Sequence, residues 1–354
     1  MTATARIPVA VWATGVVGRI AIRQILTRAD LELVAVHVHD PAKAGRDVGE
    51  LVGVAPVGVV ATAAPEEVIA AGPQCVVYAA ASPELDATYV PDYLRLLAAG
   101  IDVLTVSTPG LVYPPAWDPN HVDALTEAAR GGGATLYATG IEPGFAADQL
   151  VVLLTTMSAS IESIRTQEIF RYDSYENDFL MREVFGFGKP LDHTPLMLFE
   201  GAQQLAWGPP VRYVAAALGV ELDSIRETYE RAPTPRDLDV AVGRIDAGTC
   251  GAVRMETIGV VDGRDFLVIE HVNRMAPDLA PAWPDADRDG TYRVIIDGKP
   301  STTCELTFGS TEQESSEHGL IATAMRLVNA IPYVAASAPG LTTSLDLPLT
   351  APRL

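Results

Sequence analysis

Short apolar runs alternate with longer stretches of helical spacing along the N-terminal part of this 354-residue chain. Ile7 to Val11 is one such run, and the amphipathic stretch Arg19 to Arg28 follows it with isoleucine and leucine residues spaced for one helix face. The same pattern predicts strands at Leu31 to His39, Cys75 to Ala79, Val103 to Ser107 and Thr135 to Ala138, with helices at Val90 to Ala99 and His121 to Arg130. Strands and helices alternating at this spacing indicate a parallel sheet.

From about Ala159 the pattern changes to mostly strand. Asp262-Gly263 and Asp297-Gly298 each stand between runs of alternating apolar and polar residues, which is the pattern of a β-hairpin. A helical insertion is predicted at Thr194 to Leu218, and Pro209-Pro210 should break it into two pieces. The second half of the chain is therefore predicted to form a largely antiparallel sheet.

The last apolar helix is predicted at Leu320 to Ala336, ahead of Pro339-Gly340, and we expect it to pack back on the first domain. A chain of this length exceeds what one hydrophobic core usually supports. The predicted fold class is α/β, with an N-terminal Rossmann domain at 1–147 and a C-terminal α+β domain at 148–317 for substrate binding and oligomerisation. The helix and tail at 318–354 complete the chain.

The turn after the first strand carries the residues of a dinucleotide-binding motif. Its sequence is Ala13-Thr14-Gly15-Val16-Val17-Gly18, followed by Arg19, and it matches G-x-G-x-x-G with alanine at the first glycine. Gly15 is expected to let the backbone approach a pyrophosphate, and Gly18 to allow close packing of helix on strand. The amides that open the helix would hold the anion. An ordinary glycine turn before a helix has the same appearance.

The second predicted strand strengthens the dinucleotide interpretation, because it ends in His39-Asp40, where Rossmann domains place the ribose-binding residue. Asp40 favours NAD, since a carboxylate accepts hydrogen bonds from a ribose 2′-hydroxyl. His39, Lys43 and Arg46 favour NADP, since they would neutralise a 2′-phosphate. The sequence leaves this choice open. His37 and His39 share one strand face and are predicted to flank the adenosine rather than a metal.

Ligands of parallel sheets lie beyond the carboxyl ends of the strands. Three loops are therefore expected around the cofactor: Ala80 to Pro83, which includes Ala81; Thr108 to Gly110; and Thr139 to Phe145. Ser107, directly before the second loop, is a further candidate for cofactor binding.

Composition and charge narrow the choice of partners. Apolar residues at 48% and charged residues at 20% are typical of a globular protein rather than a disordered one. A net charge of −20 repels phosphate backbones, so we expect no nucleic-acid partner. The chain has neither a long apolar run nor a signal-peptide core, which predicts a cytoplasmic protein without membrane contact. Three scattered cysteines predict buried, inert thiols, and six histidines without H-x-x-x-H spacing predict no metal.

Several segments resemble the dihydrodipicolinate-reductase-like family, in the branch of 2,4-diaminopentanoate dehydrogenase and the native amine dehydrogenases. They are Trp12 to Arg19, Gly45 to Leu51, Gly140 to Phe145, Gly186 to Gly188, and Asn329 to Pro332 continuing through Leu341. The resemblance implies a Rossmann domain, a mixed second domain and a preference for NADPH over NADH. It also implies the reversible conversion of an aldehyde or ketone plus ammonia into an amine.

Two departures from the family bear on mechanism. Dihydrodipicolinate reductases carry a His-His pair, whereas His193 here precedes Thr194. Native amine dehydrogenases have a catalytic glutamate after the fifth strand, where this chain reads Ser107-Thr108-Pro109-Gly110. Glu142, at a position where relatives commonly have asparagine, is the candidate replacement, because a carboxylate stabilises an iminium cation and moves protons.

The polar stretch after the predicted strand Glu162 to Phe170 supplies further candidates. Tyr172 and Tyr175 would donate hydrogen bonds to an intermediate, and Asn177 would orient it. Two function classes remain open: an oxidoreductase for a C=N or C=O group of a small amine or carbonyl substrate, and a dinucleotide-binding protein that has lost catalysis. A sugar dehydrogenase is disfavoured because its Glu-Lys-Pro motif is absent. We also expect a homodimer.

Overall fold

The computed structural model describes residues 6–82, 86–309 and 312–353, so Pro83 lies outside the described residues. The strands are β1 (Ile7–Trp12), β2 (Leu31–His37), β3 (Ala61–Thr62), β4 (Cys75–Tyr78), β5 (Asp102–Thr105), β6 (Thr135–Ala138), β7 (Ser160–Arg171), β8 (Ser224–Pro233), β9 (Leu238–Val240), β10 (Gly243–Ile245), β11 (Cys250–Val261), β12 (Arg264–Arg274), β13 (Thr291–Lys299), β14 (Thr302–Thr307) and β15 (Gly340–Thr342). The helices are α1 (Val16–Thr27), α2 (Val48–Val52), α3 (Pro65–Ala70), α4 (Asp86–Ala98), α5 (Pro119–Gly132), α6 (Gln149–Thr155), α7 (Ala202–Leu218) and α8 (Glu312–Val334).

The chain divides into two units. Unit 1 comprises Met1–Gly144 together with Leu320–Leu354, and unit 2 comprises Phe145–Gly319. Unit 1 is therefore discontinuous in sequence. None of the helices in the described residues has the length and hydropathy needed to cross a bilayer.

Unit 1 contains a parallel sheet of seven strands in the order β3-β2-β1-β4-β5-β6-β15. The first six follow the 3-2-1-4-5-6 order of Rossmann domains, so this part of the predicted fold class is confirmed. The strand order reverses between β1 and β4, which is where such sheets bind ligands. The seventh strand was not predicted, because three residues are too few to show a period.

Helices cover both faces of this sheet. On one face Ile22 and Ile25 of α1 pack in the same core cluster as Leu327 and Ile331 of α8. The apolar residues of α4 and α5 pack in a second cluster, on the side chains that the strands direct to the other face. The last helix thus belongs to the core of unit 1, and it begins at Glu312 rather than at the expected Leu320.

Unit 2 contains a six-stranded sheet in the order β14-β13-β7-β12-β11-β8. Its neighbouring strands are antiparallel except for β7 and β12, which run parallel. The predicted largely antiparallel sheet is confirmed. Helix α7 packs on one of its faces, where Trp207 lies with its ring centroid 4.2 Å from that of His271.

Both Asp-Gly dipeptides lie at antiparallel hairpins, but their backbones differ. Asp262 and Gly263 have φ values of 51° and 69° and join β11 to β12, as predicted. The hairpin predicted at Asp297-Gly298 is present as well, since β13 pairs with β14 antiparallel up to Ile296 and Thr302, but these two residues also pair with β7, at a shift of its register. A Cβ at Gly298 would come within 2.1 Å of the Ser160 carbonyl oxygen, so glycine here serves a bulge rather than a turn.

The prediction that two prolines divide the helical insertion is wrong. Helix α7 continues through Pro209 and Pro210, and both side chains are buried. Val211 and Val214 beside them are fully buried as well. Burial of this apolar surface outweighs the two amide hydrogen bonds that the prolines cannot make.

Candidate functional site

The first helix of unit 1 begins without a capping side chain. Gly15 is its N-cap residue, and the first backbone hydrogen bond of the helix runs from the Arg19 amide to the Gly15 carbonyl over 2.9 Å. Helix geometry leaves the amides of Val16, Val17 and Gly18 without acceptors inside the helix. Three N–H groups at the positive end of the helix dipole are therefore available to an anion.

The two glycines of the turn, Gly15 and Gly18, have different structural roles. A Cβ at Gly15 would meet nothing within 4 Å, so open space lies beside the helix N-terminus. A Cβ at Gly18 would come within 2.1 Å of the Ala13 carbonyl oxygen, so glycine is required for the helix to approach the strand. Ala13 has φ of 82°, a conformation that glycine adopts more easily. This is the division of roles that the motif predicts.

The residues after β2 carry acidic and basic side chains at or near the surface. His39 and Asp40 are exposed, and Asp40 Oδ1 accepts a hydrogen bond from the Ala42 amide over 2.9 Å. Lys43 is half-buried, and its Nζ lies 3.4 Å from Oγ1 of Thr14 in the turn before α1. The structure thus brings the Lys43 ammonium to the glycine-containing turn before α1, while the carboxylate of Asp40 accepts a hydrogen bond within its own loop.

Aromatic rings line the carboxyl ends of β1 and β2. The Trp12 and His37 rings stack with centroids 4.0 Å apart, and His39 meets His37 edge-on at 4.8 Å. Burial, together with the charge of His39, lowers the pKa of His37 to about 4, so His37 is neutral at physiological pH. The two histidines that were predicted to flank an adenosine therefore lie together beside the turn before α1.

The loops after β4 and β5 are joined by hydrogen bonds. Ser107 Oγ donates to the Ala80 carbonyl over 2.6 Å. The buried Thr108 shares a hydrogen bond of 3.0 Å with the hydroxyl of Tyr93. Ala80 is buried and Ala81 is exposed. The hydroxyls of Ser107 and Thr108 thus hold the loops in place at the carboxyl edge of the sheet.

Glu142 lines a small cavity in unit 1. The cavity measures about 150 Å³, and its walls include Thr108 after β5 and Thr139 after β6. The loop after β5 and the loop that carries Glu142 therefore border the same space. Glu142 is half-buried there.

In unit 2 one predicted tyrosine, Tyr172, bonds to a buried glutamate of β7. The Tyr172 hydroxyl donates to Glu168 Oε1 over 2.7 Å, and Asn273 Nδ2 donates to the same oxygen over 3.2 Å. The Tyr292 hydroxyl donates to Oε2 over 3.2 Å. Only 8% of the Glu168 surface is exposed. We refer to Glu168, Tyr172, Asn273 and Tyr292 as the Glu168 cluster.

Tyr175 lies close to this cluster and Asn177 does not. The Tyr175 and Tyr172 rings have centroids 5.8 Å apart. Burial, and secondarily the Glu168 charge, raises the pKa of the Tyr175 hydroxyl. Asn177 is exposed, and its Oδ1 accepts the Leu180 amide over 3.0 Å at the start of a short helical turn. A substrate-orienting role for Asn177 stays a prediction.

Glu168, Asn273 and Tyr292 are not among the residues that sequence reasoning predicts for the site. One signal for Glu168 exists, because β7 has polar residues on both faces, Gln167 beside Glu168. A strand directs these two residues to opposite faces, and the structure buries both of them. The alternating pattern does not predict that the two faces are buried together. Asn273 and Tyr292 come from strands 105 and 124 residues further along the chain.

No group of three His, Cys, Asp or Glu side chains in residues 6–82, 86–309 and 312–353 is placed to hold a metal ion. The three cysteines are free thiols, with Cys75 and Cys250 buried and Cys304 half-buried. Burial raises the pKa of Cys250 to about 12, which keeps this thiol protonated and unreactive.

Comparisons with known proteins agree with this description. Residues 145–353 match the 2,4-diaminopentanoate dehydrogenase C-terminal domain. The chain is 41% identical to an amine dehydrogenase of Streptomyces virginiae over 349 residues, 96% of this chain and 95% of that protein. It is 26% identical to the 2,4-diaminopentanoate dehydrogenase of Acetoanaerobium sticklandii over 242 residues, 68% of this chain and 64% of that protein.

Among solved structures, an amine dehydrogenase from Mycobacterium smegmatis has a similar fold. The TM-score is 0.77, and the match covers 100% of this chain and 99% of that one at 21% identity.

Proposed function

Because the chain belongs to the 2,4-diaminopentanoate dehydrogenase family, we propose that it interconverts a small aldehyde or ketone plus ammonia with the corresponding amine, preferring NADP(H) to NAD(H). The resemblance to this family that the sequence motifs indicate is confirmed. The chain is a nicotinamide-dinucleotide-dependent oxidoreductase of the amine dehydrogenase type. Of the two function classes that the sequence leaves open, the relatives support the enzyme.

The observation that carries the proposal is the open space at Gly15 in front of three unbonded helix amides. A side chain there would fill the space that a pyrophosphate needs, and Gly15 leaves that space clear. Val16, Val17 and Gly18 would donate their amides to the phosphates, and the exposed Arg19 adds positive charge. When bound, the cofactor accepts or donates the hydride at its nicotinamide ring.

The preference for NADP rests on Lys43. Its ammonium lies beside the dinucleotide-binding turn, and Arg46 and His39 are exposed nearby in sequence. Asp40 would repel a 2′-phosphate, but its carboxylate already accepts the Ala42 amide. Cations near the end of β2 stabilise the additional phosphate of NADP.

Glu142 is the acid we propose in place of the missing glutamate. It borders the same cavity as the loop after β5, and a carboxylate in that place stabilises the positive charge of an iminium carbon–nitrogen bond. It would also transfer protons between ammonia and the carbinolamine. Tyr172 and Tyr175 would position the substrate from unit 2, which we assign to substrate binding.

The assembly and location belong to the same proposal. Leu198, Phe199 and Leu205 expose large apolar side chains on unit 2, which favours a homodimer. Three free thiols favour a reducing compartment, the cytoplasm.

Steady-state turnover tests the function. Purified protein is incubated with NADPH, ammonium and a panel of small aldehydes and ketones, and absorbance at the nicotinamide band is followed. Oxidation of NADPH that requires both ammonium and a carbonyl supports the proposal, and a matched panel of alcohols should give no reverse reaction. Tight cofactor binding without turnover of any member of either panel would overturn it.

A further inference from the structure

Two buried glutamates of the unit 2 sheet, Glu270 and Glu168, differ in the charge of their hydrogen-bond partners. Glu270 on β12 is fully buried and has two cationic partners, with Arg165 and Arg254 each 2.6 Å from one of its oxygens. Gln167 adds a hydrogen bond of 2.8 Å. Cationic partners of this kind are usual for a buried carboxylate, because an isolated buried charge is costly.

Glu168 lies on the opposite face and has no such counter-charge. In the part of the chain that the structure describes, its hydrogen-bond partners are the hydroxyls of Tyr172 and Tyr292 and the amide of Asn273, all of them neutral. Successive residues of a strand point to opposite faces, so the arginines around Glu270 are turned away from Glu168. The Glu168 cluster therefore holds an acceptor-only group in place without neutralising it.

The neighbouring histidine does not supply the missing charge. His271 lies next to Glu168 in the register of β12 with β7, and only 3% of its surface is exposed. Burial lowers its pKa, so it is neutral at physiological pH. Among the described residues, its buried Nε2 has no hydrogen-bond partner, and neither have Oδ1 of Asn273 and Oγ1 of Thr166. Buried polar atoms in proteins nearly always have a hydrogen-bond partner, so these three atoms can accept or donate to a further polar group, a water or a ligand.

A carboxylate offers about four acceptor positions. Two donors occupy Oε1 of Glu168 and one occupies Oε2, which leaves Oε2 with one position open. A single carboxylate among hydroxyls and amides suits an ammonium group better than a divalent metal, which gathers several oxygen ligands.

We propose that Glu168, oriented by Tyr172, Tyr292 and Asn273, is the residue that binds the ammonium group of the amine substrate. The inference rests on the proposed amine dehydrogenase activity, and it gives Glu168 the binding of the charged amine, whereas Glu142 is proposed for the iminium and the proton transfers that follow. The amine is recognised as a cation, whereas the carbonyl substrate of the reverse direction is neutral and gains nothing from Glu168.

The test uses an unreactive probe pair on the full-length protein saturated with NADP⁺. tert-Butylammonium carries the charge but has no α-hydrogen to lose, and tert-butanol is its neutral analogue of similar shape. NMR titration gives both dissociation constants for wild type, Glu168→Gln and the control Glu305→Gln, which removes a carboxylate from β14 of the same sheet. We expect wild type and the control to prefer the ammonium by about tenfold or more, and Glu168→Gln to lose that preference.

Equal affinity of wild type for both probes would overturn the inference, as would a preference that survives Glu168→Gln. If Glu168→Gln does not fold, a wild-type crystal soaked with tert-butylammonium decides the matter. Density within hydrogen-bond distance of Glu168 Oε2 supports the assignment, and density elsewhere refutes it.

Kinetics separates this inference from the proposed function. In Glu168→Gln the KM for an amine should rise about tenfold while the KM for the carbonyl substrate stays unchanged. If wild type turns over amines but Glu168→Gln changes the KM for the amine and the KM for the carbonyl substrate equally, the proposed function is supported and the role of Glu168 is refuted. If wild type turns over no amine, the function falls, and the probe titration still decides whether Glu168 binds ammonium.

Discussion

The carbonyl oxygen of Ala13 occupies the place that a side chain at position 18 would need, since a Cβ on Gly18 would approach it to 2.1 Å. Gly15, three residues earlier, faces open space and has φ of −69°, which alanine adopts without strain. The two glycines of one motif therefore serve different ends. Gly18 allows the helix to pack, and Gly15 admits the ligand.

Alanine at these two positions should produce opposite results. Gly18→Ala should lower the Tm by several degrees, because a backbone atom blocks the new methyl group. Gly15→Ala should leave the Tm of the free protein unchanged and weaken NADP binding by about tenfold, because the methyl group enters the phosphate space. Differential scanning fluorimetry and calorimetric titration measure the two quantities. Equal NADP affinity of wild type and Gly15→Ala would contradict the assignment of the cofactor site.

Lys43→Ala should change the choice of cofactor. We expect the dissociation constant for NADPH to rise at least about tenfold, because a charge-assisted contact with the 2′-phosphate is lost, and that for NADH to change little. Lys299→Ala removes an exposed lysine of unit 2 and serves as the control. A wild type that binds NADH more tightly than NADPH would refute the NADP preference directly.

Glu142→Gln should reduce kcat for reductive amination by a factor of about 100 or more, the usual contribution of a general acid–base group. NADPH affinity should stay the same, since the phosphates lie at the other end of the cofactor. Glu127→Gln removes an exposed glutamate of α5 and should be fully active. If the Glu142 variant keeps wild-type kcat, another group moves the protons.

Asp102 should make the protein less stable as the pH rises. It is buried at the start of β5, accepts the Thr135 amide over 2.7 Å, and burial raises its pKa to about 6. The folded state therefore holds a proton that the unfolded state has released above about pH 4, so this group lowers the free energy of unfolding between about pH 4 and 6. The loss is complete above pH 6.

Asp102→Asn removes that titration. Relative to wild type, the variant should gain up to about 3 kcal/mol of unfolding free energy between pH 4 and pH 7. Urea unfolding at several pH values measures the difference, and Asp265→Asn at the surface is the control. A difference that does not change with pH would show that Asp102 ionises normally in the fold.

Local rules explain why part of this molecule could be predicted. The strand, turn and helix around Gly15 follow from neighbouring residues, and the hairpin at Asp262-Gly263 follows from its own dihedral angles. Asp297-Gly298 has the same letters, yet the bulge there depends on the Ser160 carbonyl of another strand. Continuity of α7 through Pro209 likewise depends on the sheet beneath it. The sequence pattern of one segment does not predict the contacts that this segment makes with a distant segment.

The same limit applies to the site. Glu142 and Tyr172 were within reach of sequence reasoning because they follow strands, where α/β proteins carry their chemistry. The role of Glu168 depends on its hydrogen-bond partners, and one of them, Tyr292, joins it only through sheet pairing. A pattern of alternating residues gives two faces but does not predict that both are buried, as Gln167 and Glu168 are here.

The discontinuity of unit 1 affects how the protein emerges from the ribosome. Every residue of unit 2 has been synthesised before Leu327, Ile331 and the edge strand β15 exist. Until then the nascent N-terminal sheet leaves β6 without its outer neighbour and part of its apolar surface uncovered. Such surfaces are targets for chaperones and for aggregation during translation. A messenger truncated late in its reading frame would thus yield a chain in which unit 1, although synthesised first, lacks part of its core, whereas unit 2 has all of its residues.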